Sequence, residues 1–297
     1  MIIVTGGSGF IGSHLCSVLS EKGDVRIVDV NAPPMGVGAE FVQASVLDAA
    51  RLARLMKGAD AVVHLAALVD VSASVANPFP DFEVNALGTL NVLEAARKAG
   101  VKKVAYASSA AVYGNPVSLP IDEAHPVAPL SPYGLSKLTA ERYVLLYNEL
   151  YGMQNTALRL FNVYGSGQNA GSPYSGVITK FCNAIADGRQ PVIYGDGEQT
   201  RDFVHVDDVA HAFCLALDSR GSNSPINIAS GKEISVLDLL EKMCSLAGKS
   251  PNPKFLSERP GEIKRSVAGI SLARKRLGYY PKMELDQGLT ELVNKKN

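Results

Sequence analysis

The hydrophobic positions along the first 160 residues follow two alternating patterns. Short apolar runs rich in β-branched residues predict buried strands at MIIVTG, DVRIVDV, AEFVQAS, ADAVVHLAA, KKVAYASS and TALRLFN. Apolar residues with helical spacing lie between or after these runs, over 11–22, 48–57, 80–99 and 132–151. This alternation predicts an α/β fold in which helices cover both faces of a doubly wound parallel sheet.

The pattern changes after Asn162, where glycine and proline cluster in VYGSGQNAGSPYSG. Helical patterns at about 176–187 and 235–247 follow, joined by short strands and loops. We therefore expect residues 1–162 to form the sheet domain and residues 163–297 to form a smaller α/β lobe that binds the substrate. Part of 203–230 is expected to pack back onto the sheet domain.

The charge balance excludes several classes of partner. Lys+Arg and Asp+Glu each number 29, so no net field attracts nucleic acid or an anionic membrane. No apolar run is long enough to span a bilayer, and the chain enters an apolar strand at Ile2 without a signal peptide. We expect a cytoplasmic protein that recognises its ligand through a few local groups.

Cysteine and histidine positions give no indication of a metal site. The four cysteines are far apart, and no C-x-x-C pair occurs among them: Cys16, Cys182, Cys214 and Cys244. His64 and His205 lie in strand-like apolar surroundings, which is typical of core histidines rather than ligands or bases. We expect four reduced core thiols and no bound metal.

The segment VTGGSGFIGSH predicts a dinucleotide-binding site of the Rossmann type. Gly6, Gly9 and Gly12 directly follow a predicted strand and open a helix, where they permit a tight turn, close approach of a pyrophosphate and close packing. Asp29 ends the second strand, where a carboxylate binds a ribose diol and repels a 2′-phosphate. The site therefore favours NAD over NADP. The alternative is a glycine-rich turn with an unrelated surface aspartate.

A second constellation predicts proton transfer. Ser109 ends the fifth strand, at the edge of the sheet where ligands bind in this fold class. In SPYGLSK, Tyr133 and Lys137 share one face of a helix that starts at Ser131. A free tyrosine titrates near 10, and a neighbouring ammonium favours its phenolate and lowers its pKa. Tyr133 is then able to act as a general base when hydride leaves an alcohol carbon.

Taken together, the motifs resemble a known family. They are TGGSGFIGSH, HLAA, NALGT, SSAAVYG, SPYGLSK, RLFNVYG, RDFVHVDDVA and ERPGEI. The chain resembles, almost end to end, the extended short-chain dehydrogenases/reductases, and among them the nucleotide-sugar epimerase branch. The resemblance implies NAD-dependent 4-epimerisation of a nucleotide sugar, of the UDP-glucose/UDP-galactose type, by transient oxidation at C4 with Tyr133 as base.

The resemblance also implies two sets of binding residues. The residues implied for the cofactor are Gly6, Gly9, Phe10, Ile11, Gly12, Asp29, Asn31, Ser45, Val46, Leu65, Ala66, Ala67, Val69, Tyr133, Lys137 and Phe161. Those implied for the nucleotide sugar are Ser109, Tyr133, Asn162, Arg201, Arg259, Glu262 and Ser266. Arg201 and Arg259 would pair with the diphosphate, and Glu262 would bind the nucleotide's ribose. Two departures from the family, Ala44-Ser45 and Val84, predict weaker retention of NAD.

Enzymes of the family with other activities carry different residues at the serine motif SSAAVYG. Enzymes of the family that dehydrate sugars carry Asp-Glu where this chain has Ala110-Ala111, so the proton carriers for dehydration are missing. Members that invert C3 and C5 use a cysteine that is absent here. An NDP-sugar dehydrogenase or reductase stays open as an alternative, as does, more remotely, a non-catalytic dinucleotide-sensing regulator.

Two further expectations concern sugar size and assembly. Ser266 corresponds to a family position beside the sugar's C2 substituent, where a small side chain implies that N-acetylated sugars are accepted. The family forms homodimers by pairing two helices into a four-helix bundle, and helical patterns 80–99 and 132–151 carry surplus leucines. These leucines are Leu87, Leu90, Leu93, Leu135, Leu138, Leu145 and Leu146.

Overall fold

A seven-stranded parallel sheet organises the computed structural model, which describes residues 1–168, 176–258 and 261–294. The strands are β1 (Ile2–Thr5), β2 (Val25–Asp29), β3 (Glu40–Gln43), β4 (Ala61–His64), β5 (Val104–Ser109), β6 (Thr156–Leu160) and β11 (Ile226–Ile228). Their order is β11-β6-β5-β4-β1-β2-β3, and every neighbouring pair runs parallel. The order reverses between β1 and β4, which opens a crevice at the carboxyl ends of the strands.

Helices cover both faces of this sheet. They are α1 (Phe10–Ser20), α2 (Ala49–Leu55), α5 (Gly88–Lys98), α6 (Pro132–Tyr151), α8 (Val206–Asp218) and α10 (Ser271–Leu277). One hydrophobic core joins α1, α8 and α10 to the sheet through residues such as Leu15 and Phe213. The opposite core joins α2, α5 and α6 through residues such as Leu52 and Val144. The doubly wound α/β fold predicted from the alternating pattern is therefore confirmed.

The predicted helix 80–99 is broken into three parts. A short helix α3 (Val71–Ala76) leads into α4 (Pro78–Phe82), a π-helical turn (Glu83–Leu87) and then α5. The wider turn brings Asn85 inward, where its side chain both donates to and accepts from the backbone of Leu68. Local π turns of this kind are frequent at functional sites.

The chain after Asn162 contributes the remaining elements. These are β7 (Asn162–Tyr164), α7 (Val177–Ala186), β8 (Val192–Tyr194), β9 (Thr200–Arg201), β10 (Phe203–His205), β12 (Ile234–Ser235), α9 (Val236–Leu246), β13 (Lys254–Leu256) and α11 (Leu285–Asn294). Helices α7, α9 and α11 share a separate hydrophobic core that includes Phe181, Leu240 and Leu289. The helices predicted near 176–187 and 235–247 are thus confirmed, while the division at residue 162 stays a prediction.

Buried polar residues in the sheet are structural. His64 is held between the hydroxyls of Thr5 and Thr89, and burial lowers its pKa to about 3. It is a core histidine, as predicted, and so is His205, which is 2% exposed. All four cysteines are buried, and no disulfide bond joins them. Within the described ranges no cluster of three or more metal-binding side chains occurs, and no helix there has the length and apolarity to cross a bilayer.

Candidate active site

The glycine loop between β1 and α1 packs tightly against the end of β4. Gly6 has a φ of 73°, and a Cβ there would lie 2.5 Å from the backbone nitrogen of Ala66. At Gly12 a Cβ would lie 2.3 Å from the carbonyl oxygen of Gly6. Glycine is therefore required at both positions. Gly9 precedes α1 and gives its first turn no side-chain cap, so the positive end of the helix is open to an anion.

Asp29 is held in place beside this loop. One carboxylate oxygen accepts from the backbone N–H of Ser8 at 3.1 Å, and the other accepts from that of Asn31 at 3.0 Å. Each oxygen keeps a further lone pair, since a carboxylate has about four acceptor sites. The side chain lines the cleft described next, so it is able to accept hydrogen bonds from a ribose diol.

A cleft of about 580 Å³ runs from the glycine loop to the end of β5. Every residue implied for the cofactor lines it, from Gly6 to Phe161, together with Ser109. Ala44 and Val84, which mark the departures from the family, line it too. An anion-binding helix end, a carboxylate and an apolar far end match the three parts of a dinucleotide: pyrophosphate, ribose and nicotinamide. The individual contacts stay predictions.

A second cleft, of about 770 Å³, adjoins the first at Val69, Val163 and Gln168. Asn162, Arg201 and Glu262, three of the residues implied for the nucleotide sugar, line it. Ser266 is buried and lines neither cleft, and Arg259 lies outside the described residues. The two clefts together form one continuous site.

Ser109, Tyr133 and Lys137 all line the cofactor cleft, and the side chains of Ser109 and Tyr133 are hydrogen-bonded to each other. Helix α6 begins as predicted, because the Ser131 hydroxyl accepts from the N–H of Gly134 at 3.1 Å and Pro132 follows. Both reactive side chains are buried, Tyr133 with 9% and Lys137 with 3% exposure. The Nζ of Lys137 lies 4.6 Å from the centroid of the Tyr106 ring.

The electrostatics of this pair differ from the expected lowering of the tyrosine pKa. Burial raises the pKa of Tyr133, its hydrogen bond with Ser109 lowers it, and the charge of Asp81 raises it further. Burial lowers the pKa of Lys137 to about 7, against the charges of Asp81 and Glu141. Removal from water is therefore the largest cause of both shifts.

Sequence reasoning missed the buried groups behind the reactive pair. Asp81 is 2% exposed, and its Oδ2 accepts from the side-chain amide of Asn85 at 2.8 Å. The Ser74 hydroxyl accepts from the backbone N–H of Tyr133 at 3.2 Å. The NALGT motif contains Asn85, but no sequence signal marks Asp81. A hydrophobic pattern would place its neighbours Phe79 and Phe82 inside and Asp81 outside, whereas Phe79 and Phe82 are 76% and 55% exposed.

A buried ion pair lies farther along α6. Glu141 accepts from the guanidinium of Arg159 at 2.7 and 2.9 Å and from the hydroxyl of Ser108 at 2.6 Å. Both charged side chains are almost fully buried. Ser108 is therefore tied to this ion pair at the strand end, and both Ser108 and Ser109 line the cofactor cleft.

Arg201 and Glu262 contact each other in the second cleft. The guanidinium of Arg201 donates to the carboxylate of Glu262 and to the carbonyl oxygens of Thr200 and Ile263, the latter two at 2.8 and 2.7 Å. Burial lowers the pKa of Arg201, and the charge of Glu262 opposes that shift. The sequence placed both residues in the substrate site but did not predict their pairing.

Comparison with known proteins identifies the class to which this site belongs. The family model for the NAD dependent epimerase/dehydratase family matches residues 2–229. The chain belongs to this family. Because this family is NAD dependent, NAD is confirmed as the predicted cofactor.

Individual relatives narrow the resemblance. A putative UDP-glucose 4-epimerase of Methanocaldococcus jannaschii is 43% identical, over 99% of this chain and 97% of its own length. The structure of the UDP-N-acetylglucosamine 4-epimerase from Methanobrevibacter ruminantium, in complex with UDP-N-acetylmuramic acid, has a TM-score of 0.94 and 38% identity, covering 99% of this chain and 96% of that one. That of the Thermotoga maritima UDP-glucose 4-epimerase with UDP-glucose has a TM-score of 0.94 and 35% identity, covering 99% and 97%.

Proposed function

We propose that the chain is an NAD-dependent 4-epimerase of UDP-sugars of the UDP-glucose/UDP-galactose type. The observation that carries this proposal is that Ser109, Tyr133 and Lys137 all line the cofactor cleft, which adjoins the second cleft. The relatives named as 4-epimerases, at 43% and 38% identity, support the same reaction and a UDP-sugar substrate.

Bound NAD would accept a hydride from C4 of the sugar and return it to the same carbon. Tyr133 removes the proton from the C4 hydroxyl and later restores it, while Ser109 holds that hydroxyl beside the phenol oxygen. Lys137 binds the nicotinamide ribose and provides the positive charge that favours the phenolate. Both faces of the C4 ketone must receive hydride, so the sugar has to rotate within the site.

Rotation requires an anchor outside the sugar. Arg201, with Arg259, pairs with the diphosphate, Asn162 borders it, and Glu262 binds the nucleotide's ribose. Glu262 must then exchange part of its contact with Arg201 for the ligand. The two small side chains after Ser109, Ala110 and Ala111, leave no group to protonate a departing C6 hydroxyl, which argues against dehydration.

The direct test is an assay on a panel of UDP-sugars with product analysis and continuous NADH absorbance. The proposal expects interconversion of UDP-glucose and UDP-galactose without net NADH. Net NADH formation would instead identify an NDP-sugar dehydrogenase, and no turnover with intact NAD binding would favour the dinucleotide-sensing regulator. Including the N-acetylated pair tests acceptance of larger sugars. The role of Ser266 in that choice stays a prediction, since Ser266 lines neither cleft.

We also propose that the protein is a cytoplasmic homodimer. Large apolar side chains are exposed along α3, α4 and α6: Val75 63%, Phe79 76%, Phe82 55%, Leu135 57% and Leu150 60%. These elements adjoin one another and present an apolar face that a second copy could cover in a four-helix bundle. The leucine prediction was wrong in part, because Leu93 and Leu145 belong to the core of the sheet domain.

A further inference from the structure

We propose that Asp81 is a positioning residue for the reaction, a buried counter-ion that favours the ammonium form of Lys137 beside Tyr133. The inference rests on the proposed function, to which it adds a residue outside the Ser109, Tyr133 and Lys137 set. It follows from where α4 and the π turn place one carboxylate.

The Asp81 side chain is built into the protein. It is 2% exposed, and Asn85 fixes its Oδ2 while anchoring itself on both backbone groups of Leu68. The Oδ1 atom has no hydrogen-bond partner. A carboxylate left buried with an unpaired oxygen is costly unless a positive charge compensates it. Lys137 lies on α6, the helix against which α4 and the π turn pack.

The other charged groups near Lys137 do not supply this compensation. Glu141 has both oxygens occupied by Arg159, so that pair is neutral as a unit. His64 is fully buried, and the charge of Lys137 lowers its pKa further, so it adds no positive charge. Tyr106 and Tyr133 are neutral in their ordinary state. Asp81 and Lys137 thus remain as the opposite charges of this interior.

The field of Asp81 acts on both reactive groups in the same direction. It favours the protonated form of Lys137 and the protonated form of Tyr133. Activity needs an ionised phenol and an ammonium at the same time, and the pKa of Lys137 lies below that of Tyr133, so both limbs of the pH profile belong to the pair and not to one residue each. Loss of the carboxylate must lower both pKa values and move the whole window towards acid.

The test is the pH profile of kcat for UDP-galactose conversion in the NAD-loaded protein. For Asp81→Asn, which keeps the shape and an acceptor for Asn85, both limbs should move by about one pH unit towards acid. On the alkaline side kcat should fall about tenfold. Asp81→Glu should return the limbs towards their original position, which a purely structural role would not do. Glu83→Gln removes a charge two residues away on the exposed side and should leave the window in place.

A second measurement is independent of the substrate. Tyrosinate formation is followed by ultraviolet absorbance in the wild-type and Asp81→Asn proteins, each with and without the Tyr133→Phe substitution. The difference within each pair isolates the titration of Tyr133, whose pKa should be lower in Asp81→Asn. This result would hold even if no UDP-sugar were epimerised, so it separates the two proposals. Melting curves identify folded variants, and Asp81→Ser replaces Asp81→Asn if the latter does not fold. A folded Asp81 variant with an unchanged window and an unchanged tyrosine titration would overturn the inference.

Discussion

Replacing Lys137 by methionine should change how stability depends on pH. Methionine has a similar length and no charge, and the site is 3% exposed. In the folded protein burial lowers the pKa of Lys137 from 10.5 to about 7, whereas in the unfolded chain the side chain is in water. Between these two values the unfolded state binds more protons than the folded state. The contribution of Lys137 to the free energy of unfolding therefore rises with pH through that range.

The magnitude follows from the size of the shift. Below a pH of about 7 the full cost of the buried ammonium is present, on the order of 5 kcal/mol. Between about pH 7 and about pH 9 the wild type should recover roughly 2 kcal/mol relative to Lys137→Met. Only the change with pH is compared, and not the absolute difference in the free energy of unfolding, because Lys137→Met also leaves Asp81 without its counter-ion.

The assay is urea unfolding of both proteins at several pH values, without added nucleotide. Titrating groups remote from Lys137 are common to the two proteins, so their contributions cancel in the difference. Lys57→Met is the matched control, since that lysine is exposed and solvated in both states. Parallel stability curves for wild type and Lys137→Met would refute the reasoning, because they would mean that burial leaves the proton affinity of Lys137 unchanged.

Three other predictions concern catalysis, cofactor choice and assembly. Tyr133→Phe should lower kcat by roughly 10²–10⁴-fold with NAD affinity retained, and near-wild-type turnover in single-turnover assays would remove Tyr133 as the base. In fluorescence titrations NAD should bind at least about tenfold more tightly than NADP. Asp29→Asn should reduce this ratio of affinities, because the charge that repels a 2′-phosphate is gone. Similar affinities of the wild type for NAD and NADP would contradict the role of Asp29. Light scattering should give about twice the 31.5 kDa chain mass, and Phe79→Glu should shift the protein to monomers; a wild-type monomer at micromolar concentration would rule out the dimer.

Features that local geometry controls could be predicted from the sequence. Alternating strand and helix periods predict the doubly wound sheet, since backbone hydrogen bonding allows few ways to bury such patterns. Gly6 and Gly12 are recognisable because a Cβ at either position would collide with backbone atoms. The spacing of Tyr133 and Lys137 was equally readable, because residues four apart always share one helix face.

Which charges are buried, and which groups they face, depends on the packing of distant segments. Asp81 is inside while Phe79 and Phe82 are outside, the reverse of what composition suggests, in a segment whose α4 and π turn pack against α6. The downward shift of the Lys137 pKa has the same origin. Desolvation and Coulomb terms depend on what covers a side chain, and the covering residues come from distant parts of the chain. A linear pattern therefore predicts which residues react but not the electrostatics that control them.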